Sequence, residues 1–125
     1  MIQQLDQTAR LERANNLRVI RPLGYLDFLR LFSGARLVLT DSGGIQEETT
    51  VLGIPCVTLR ENTERPITVE MGTNVIAGTE SKKIIDAALS ALDHPPDKAS
   101  LRIPPLWDGQ TADRILNALV SEARP

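Results

Sequence analysis

The stretch Thr40-Asp41-Ser42-Gly43-Gly44 brings together the residue types that bind an anion. An apolar run, Leu37-Val38-Leu39, stops abruptly in front of it and reads as a buried strand. Ile45, Glu48, Val51 and Leu52 follow at helical spacing. Asp41 and Ser42 are good N-cap types, and two glycines let the backbone turn tightly and approach a ligand. A strand, a glycine turn and a helix N-terminus together expose N–H groups and a dipole that favour phosphate. Taken alone, a Ser-Gly-Gly turn divides about evenly between phosphate binding and plain turn geometry. It is not a P-loop, because no Gly-Lys-Ser/Thr follows, and it is not a G-x-G-x-x-G fingerprint.

A second polar cluster, Arg60-Glu61-Asn62-Thr63-Glu64-Arg65-Pro66, follows another strand-like run, Cys56 to Leu59. In open α/β sheets ligands bind beyond the C-terminal ends of the strands. Three polar loops are expected to collect there: 22–25, 40–44 and 60–65. Ser42 and the amides near Gly43 and Gly44 would hold a diphosphate. Arg65 would add a guanidinium, whose fixed fork suits phosphate oxygens. Glu48 lies one helical turn beyond Gly44, where a carboxylate repels phosphate and suits sugar hydroxyls better. Plainer roles stand beside these. Arg65 fits a solvated loop charge or a partner of Glu61 or Glu64. Phe28 by spacing alone favours the core by about two to one. Glu47 reads as an exposed helix charge, His94 as a lone surface histidine, and Trp107 as a packing anchor for the last helix.

The elements that must position these groups alternate. Helices are expected over 2–14, 25–33, 44–52, 66–71, from Ser81 to about Leu92, and over the last dozen residues, whose face is Ile115, Leu116, Leu119 and Val120. Ser81 is expected to cap the fifth of these, with Ile84, Ile85, Ala88, Leu89 and Leu92 as its core face, and Asp108 or Thr111 to cap the sixth. Strands are expected over 17–20, 36–39, 56–59 and 73–77. Alternating strands and helices imply a parallel sheet covered on both faces, an α/β Rossmann-like fold.

At 125 residues there is room for one domain. A net charge of −2 and 3% aromatic content argue against a nucleic-acid or membrane-surface binder. The single cysteine, Cys56, cannot form an internal disulfide, which suits a reducing cytoplasm, and its strand-like setting reads as a buried, inert thiol. No run approaches a membrane span, and the N-terminus lacks the regions of a signal peptide.

The order and spacing of TDSGGIQEE, Leu52-Gly53-Ile54-Pro55, Asn62-Thr63-Glu64-Arg65-Pro66 and Gly72-Thr73-Asn74 closely resemble the non-hydrolysing UDP-N-acetylglucosamine 2-epimerases. The likeness runs from about Leu17 to the end, in the nucleotide-binding part of their C-terminal domain. It implies the incomplete C-terminal half of a GT-B-like two-domain fold, with the whole chain, 1–125, as one partial UDP-binding domain. It also implies roles: Ser42, Gly43 and Gly44 grip the phosphates, Glu48 binds the ribose, and Arg65 contacts the diphosphate. Phe28 and the backbone near Leu23 lie against the uracil. Asp108 falls in an Asp-Gly turn related to one at the family's domain hinge.

The family reaction interconverts UDP-GlcNAc and UDP-ManNAc by eliminating UDP and re-adding it to the opposite face. That chemistry needs acid and base groups beside the sugar. In the family they come from regions with no counterpart in this sequence, so no catalytic residue, metal or cofactor is assigned here. The implied partners are UDP-GlcNAc or UDP and an N-terminal epimerase domain or companion polypeptide, with a homodimer as a further expectation. The expected strand order leaves residues 17–20 without a neighbour inside the chain. Two other functions fit the residues: a non-catalytic UDP-sugar-binding module, and the donor half of a nucleotide-sugar glycosyltransferase.

Overall fold

The structure is a computed structural model that describes residues 15–97 and 99–122. Eight elements follow one another: α1 (Tyr25–Ser33), β1 (Val38–Thr40), α2 (Gly43–Leu52), β2 (Cys56–Thr58), α3 (Pro66–Glu70), β3 (Asn74–Ile76), α4 (Ser81–Asp93) and α5 (Thr111–Glu122). The helix expected over 2–14 lies outside the described residues.

The three strands form a parallel sheet in the order β1-β2-β3. The register pairs Leu39 with Val57 and Val57 with Val75. Side chains alternate across a strand, so these three share one face, while Thr40, Cys56, Thr58 and Asn74 share the other. Helix α2 touches all three strands, α3 packs on β3, and α4 packs on β2. The central strand is fully enclosed, with Cys56, Val57 and Thr58 at 1% exposure or less. Leu39 and Val75, on its flanks, are about half exposed. Burial raises the Cys56 thiol pKa, as expected for an inert thiol.

The expected α/β parallel architecture is present, with two corrections. Residues 17–20 form no strand; Leu17, Val19 and Ile20 are exposed, and they pair with nothing in the described sheet. A strand needs a partner for its ladder groups, and none stands beside this one.

The inner face of α2 is polar. Its buried residues are Gln46, Thr49 and Thr50, while Val51 and Leu52 are exposed. Burial of these polar groups is tolerated because they are bonded. Thr49 Oγ1 donates to the carbonyls of Ile45 and Gln46, and Thr50 Oγ1 donates to that of Gln46. The second correction concerns the helices after the sheet. Ile85 and Leu89 of α4, and Ile115, Leu116, Leu119 and Val120 of α5, are all more than half exposed. On α4 the expected face is split, with Ile84, Ala88 and Leu92 partly buried, whereas the named α5 residues stay open among the described residues.

Helix ends differ in detail from the sequence reading. Ser81 is the first residue of α4 and makes no side-chain cap. Asp108 Oδ1 accepts the Gln110 N–H, closing a local turn ahead of α5, and the carboxylate pairs with Arg114. The Arg114 hydrogen bond, supported by that amide, holds the Asp108 pKa down to about 2. Gly53 closes α2 in the left-handed region, φ 67°, a conformation glycine adopts without strain.

Gly72 is fixed by proximity. A Cβ there would lie 2.5 Å from the Thr68 carbonyl oxygen and would collide with Thr50 Oγ1. Both neighbours belong to packed helices and have little room to yield. Gly72→Ala is therefore expected to destabilise the fold by about 1–3 kcal/mol through overpacking. Urea unfolding of the two proteins reads this directly, and an unchanged midpoint would contradict it.

Candidate anion-binding site

The mouth of α2 is built from the sequence at the end of β1. The Ser42 N–H donates to Thr40 Oγ1 at 3.1 Å, which bends the chain out of the strand. The Gln46 N–H then donates to the Ser42 carbonyl at 3.3 Å, opening the helix. The first N–H groups of any helix lack intrahelical acceptors. Here those of Gly43, Gly44 and Ile45 have no protein acceptor among the described residues. The Ser42 hydroxyl makes no cap bond. Three amides and a hydroxyl therefore face outward at the positive end of the helix dipole.

Arg65 is brought to this mouth. A Cβ on Gly43 would lie 3.8 Å from Arg65 Cγ, so a side chain there would press on the arginine stem. Arg65 Nε lies 2.8 Å from Glu47 Oε1. That Nε is enclosed yet makes no aligned hydrogen bond, so the contact is a charge pair without good N–H geometry. Arg65 also donates from its guanidinium to the Glu64 carbonyl at 3.2 Å. The sequence offered Glu61 or Glu64 as the partner carboxylate; the structure gives Glu47 instead. Glu61 accepts from the N–H and hydroxyl of Thr79, and Glu64 faces Arg60.

The backbone that carries Arg65 is pinned by buried polar side chains. The Arg65 N–H donates to Thr63 Oγ1 at 2.9 Å, and the Thr63 hydroxyl donates to Gln46 Oε1 at 2.6 Å. The Arg65 carbonyl accepts from Thr68 Oγ1 at 2.7 Å. Asn74 joins both arms, donating to Gln46 Oε1 and to Thr68 Oγ1 and accepting from the Thr58 hydroxyl. Gln46, Thr58, Thr68 and Asn74 are all at 3% exposure or less. The sequence reading missed Gln46, Thr63, Thr68 and Asn74 as site-building residues. A signal was present: Gln46, Thr49 and Thr50 put a polar stripe at i, i+3 and i+4 on a helix packed against a sheet.

Glu48 takes a different neighbour. Its Oε1 accepts from the Tyr25 hydroxyl at 3.2 Å, which ties the start of α1 to the side of α2. Tyr25, Leu29, Glu47, Glu48, Val51, Leu52 and Trp107 line a mostly apolar cavity of about 360 Å³. Leu23 is exposed just ahead of α1. Phe28 packs on the buried Phe32, with ring centroids 5.2 Å apart. Thus Ser42, Gly43, Gly44 and Arg65 come together, and Glu48 stands beside Tyr25. Phe28 makes its ring contact inside α1. Cavities of comparable size around Gly53–Pro55 and Gly72–Asn74 lie at the opposite end of the strands, away from this mouth.

Among the described residues no group of three acidic, histidine or cysteine side chains is placed to hold a metal, and no helix is long and apolar enough to cross a membrane. The fold defines a class: a Rossmann-like parallel sheet of the GT-B-like kind, here with a candidate anion site at a helix N-terminus. The chain belongs to the UDP-N-acetylglucosamine 2-epimerase family, whose profile matches residues 2–120.

The UDP-N-acetylglucosamine 2-epimerase of Methanocaldococcus jannaschii is 42% identical over 110 residues, covering 88% of this chain and 29% of that protein. The enzyme of that name from Salmonella typhimurium is 42% identical over 113 residues, covering 89% and 30%. The crystal structure of the M. jannaschii enzyme in complex with UDP-GlcNAc and UDP superimposes with a TM-score of 0.81 at 39% identity. It covers 96% of this chain and 32% of that one. The Neisseria meningitidis enzyme bound to UDP-GlcNAc gives 0.79 at 35% identity, covering 89% and 30%. The chain spans about three-tenths of the length of these relatives.

The Tyr25–Glu48 bond can be read optically, because Tyr25 is the sole tyrosine. The hydrogen bond to Glu48, and then its charge, raise the phenol pKa. A raised acid pKa means that the bond's contribution is complete below the ordinary phenol value of about 10. It is lost as pH rises through the raised value. Ultraviolet titration of the folded chain should show a late phenol transition, and Glu48→Gln should return it toward about 10. Coincident curves for the two proteins would contradict the bond.

Proposed function

We propose that this chain supplies the UDP-binding part of a UDP-N-acetylglucosamine 2-epimerase, and that 1–125 is one partial nucleotide-binding domain. The observation that carries the reading is the convergence of Arg65 on the Ser42–Gly44 helix mouth. Outward amides, a hydroxyl and a guanidinium suit a diphosphate, a dianion or more at neutral pH. The UDP and UDP-GlcNAc complexes of relatives at 39% and 35% identity support the same ligand class. In this reading Ser42, Gly43, Gly44 and Arg65 hold the diphosphate. Glu48 exchanges the Tyr25 hydroxyl for ribose hydroxyls, and Phe28 and the backbone at Leu23 take the uracil.

The reaction interconverts UDP-GlcNAc and UDP-ManNAc. Its acid and base come from outside these residues, from an N-terminal epimerase domain or a companion polypeptide, and the working unit is a homodimer in the cytoplasm. The chain needs no cofactor or metal for its part. The motif pair TDSGGIQEE and NTERP, together with the family match, favours this over a glycosyltransferase donor half.

Calorimetric titration of the chain with UDP tests the proposal. Binding is expected, with Arg65→Ala weakening it about 10- to 100-fold through the loss of charge-assisted hydrogen bonds. Ser42→Ala is expected to weaken it less, by about tenfold. Uridine, which lacks phosphate, should be indifferent to both changes. A folded chain that ignores UDP, or variants that bind it as tightly as the parent, would overturn the reading.

A further inference from the structure

We infer that the Thr63 hydroxyl is a positioning device for Arg65, and that Gln46 and Asn74 are its anchors. The inference rests on the UDP-binding reading and deepens it: Arg65 is useful only if its backbone is fixed relative to the helix mouth.

The geometry has two arms. The Thr63 hydroxyl accepts the Arg65 N–H at 2.9 Å and donates its own hydrogen bond to Gln46 Oε1 at 2.6 Å. The Arg65 carbonyl is held from the other side by Thr68 Oγ1 at 2.7 Å, and Asn74 Nδ2 donates to that same oxygen at 3.0 Å. Asn74 Nδ2 also donates to Gln46 Oε1 at 3.1 Å, which closes the circuit. Both peptide groups of Arg65 are therefore referred to one buried amide pair. Gln46 belongs to α2 and lies two residues beyond Gly44, so the helix that offers the amides also sets where the guanidinium begins.

The chemistry of each member fits this role. A hydroxyl is the smallest side-chain group that accepts and donates at once. Gln46 is 1% and Asn74 3% exposed, so neither meets a ligand directly, and their cost of burial is offset only inside the closed circuit. Pro66 opens α3 directly after Arg65 with a fixed φ, so the loop has little other freedom at this point. Arg65 itself, with its side chain 42% exposed, keeps a partly solvent-facing head on a fixed root.

Thr63 lies in a loop and is only half-buried, so it can be changed with less risk to folding than Gln46. Thr63→Val keeps the shape and removes both hydrogen bonds; Thr63→Ser keeps both. In calorimetric titrations, Thr63→Val is expected to weaken UDP binding about tenfold and leave uridine binding within about twofold. Thr63→Ser should restore UDP binding. In an Arg65→Ala background Thr63→Val should cost nothing further, because the residue acts through Arg65.

Equal losses for UDP and uridine, or full additivity with Arg65→Ala, would overturn the inference in favour of a general structural role. Parental UDP binding by Thr63→Val would do the same. Amide hydrogen exchange of the ligand-free chain gives a separate reading. The Arg65 amide should exchange at least about tenfold faster in Thr63→Val than in Thr63→Ser, with β2 amides unchanged. If the parent chain ignores UDP, the functional reading fails by itself. The exchange result then decides the positioning role, and equal rates in the two variants would sink it.

Discussion

The structure depends on a buried polar constraint more than on its apolar core. The buried apolar residues among those described are few: Phe32, Ile54, Pro55, Cys56, Val57, Ala77 and Pro104. Gln46, Thr49, Thr50, Thr58, Thr68 and Asn74 are buried as deeply as they are. Gln46 of α2 is bonded both by Asn74 of β3 and by Thr63 of the loop after β2, so hydrogen bonds join these three segments. Such bonds are directional, and a buried donor left without its partner costs about 1–3 kcal/mol. Packed methyl groups admit small slips, whereas an unsatisfied amide does not. The interface therefore gains one permitted arrangement of α2, the 63–68 segment and β3. The groups it fixes are the helix mouth and the root of Arg65.

The same frame explains Gly72. With Thr50 turned inward to back-bond the Gln46 carbonyl, and α3 starting directly after Arg65, the chain must pass between Thr50 and the Thr68 carbonyl to reach β3. Only a residue without Cβ fits there. Glu61 works at the other end of the strands, where it accepts from Thr79 beside Gly78, φ 74°. The loop after β2 is thus tied to the loop after β3 as well as to α2. Two ties on one short loop are consistent with a binding element that must not drift.

Much of this was legible in the sequence. Strand, glycine turn and helix around Ser42 follow from local rules, and β1, β2 and β3 fall within two residues of their expected positions. The convergence of Ser42, Gly43, Gly44 and Arg65 follows from where open α/β sheets place their loops. Three things were not legible. Residues 17–20 have strand composition, but strand formation depends on a neighbour, which composition cannot report. For α2 the sequence shows only that Ile45, Glu48, Val51 and Leu52 lie at helical spacing, not which face turns inward. The polar stripe turns inward because the Thr49 and Thr50 hydroxyls are satisfied by carbonyls of α2 itself and Gln46 by Thr63 and Asn74, and the Gln46 partners are a long-range fact. Glu47 as the partner of Arg65, in place of Glu61 or Glu64, is likewise set by tertiary placement, which brings the arginine back across eighteen positions of chain.

That last pairing bears on how a diphosphate would take Arg65. Glu47 and Arg65 are each about 40% exposed, and their contact lacks an aligned N–H bond. Ion pairs of that kind contribute little, about 0–1 kcal/mol, because water screens them and two long side chains must be held. A diphosphate arriving at the α2 mouth brings more charge and several acceptor oxygens that match the guanidinium fork. Exchange of Glu47 for phosphate thus costs little, while the unliganded arginine stays near its post and away from competing carboxylates such as Glu61 and Glu64. The buried circuit supplies the fixed part of the site and the exposed ion pair the yielding part. Reversing those roles, with a floating backbone and a buried salt bridge on the guanidinium, would leave a strong interaction to be broken at each binding event.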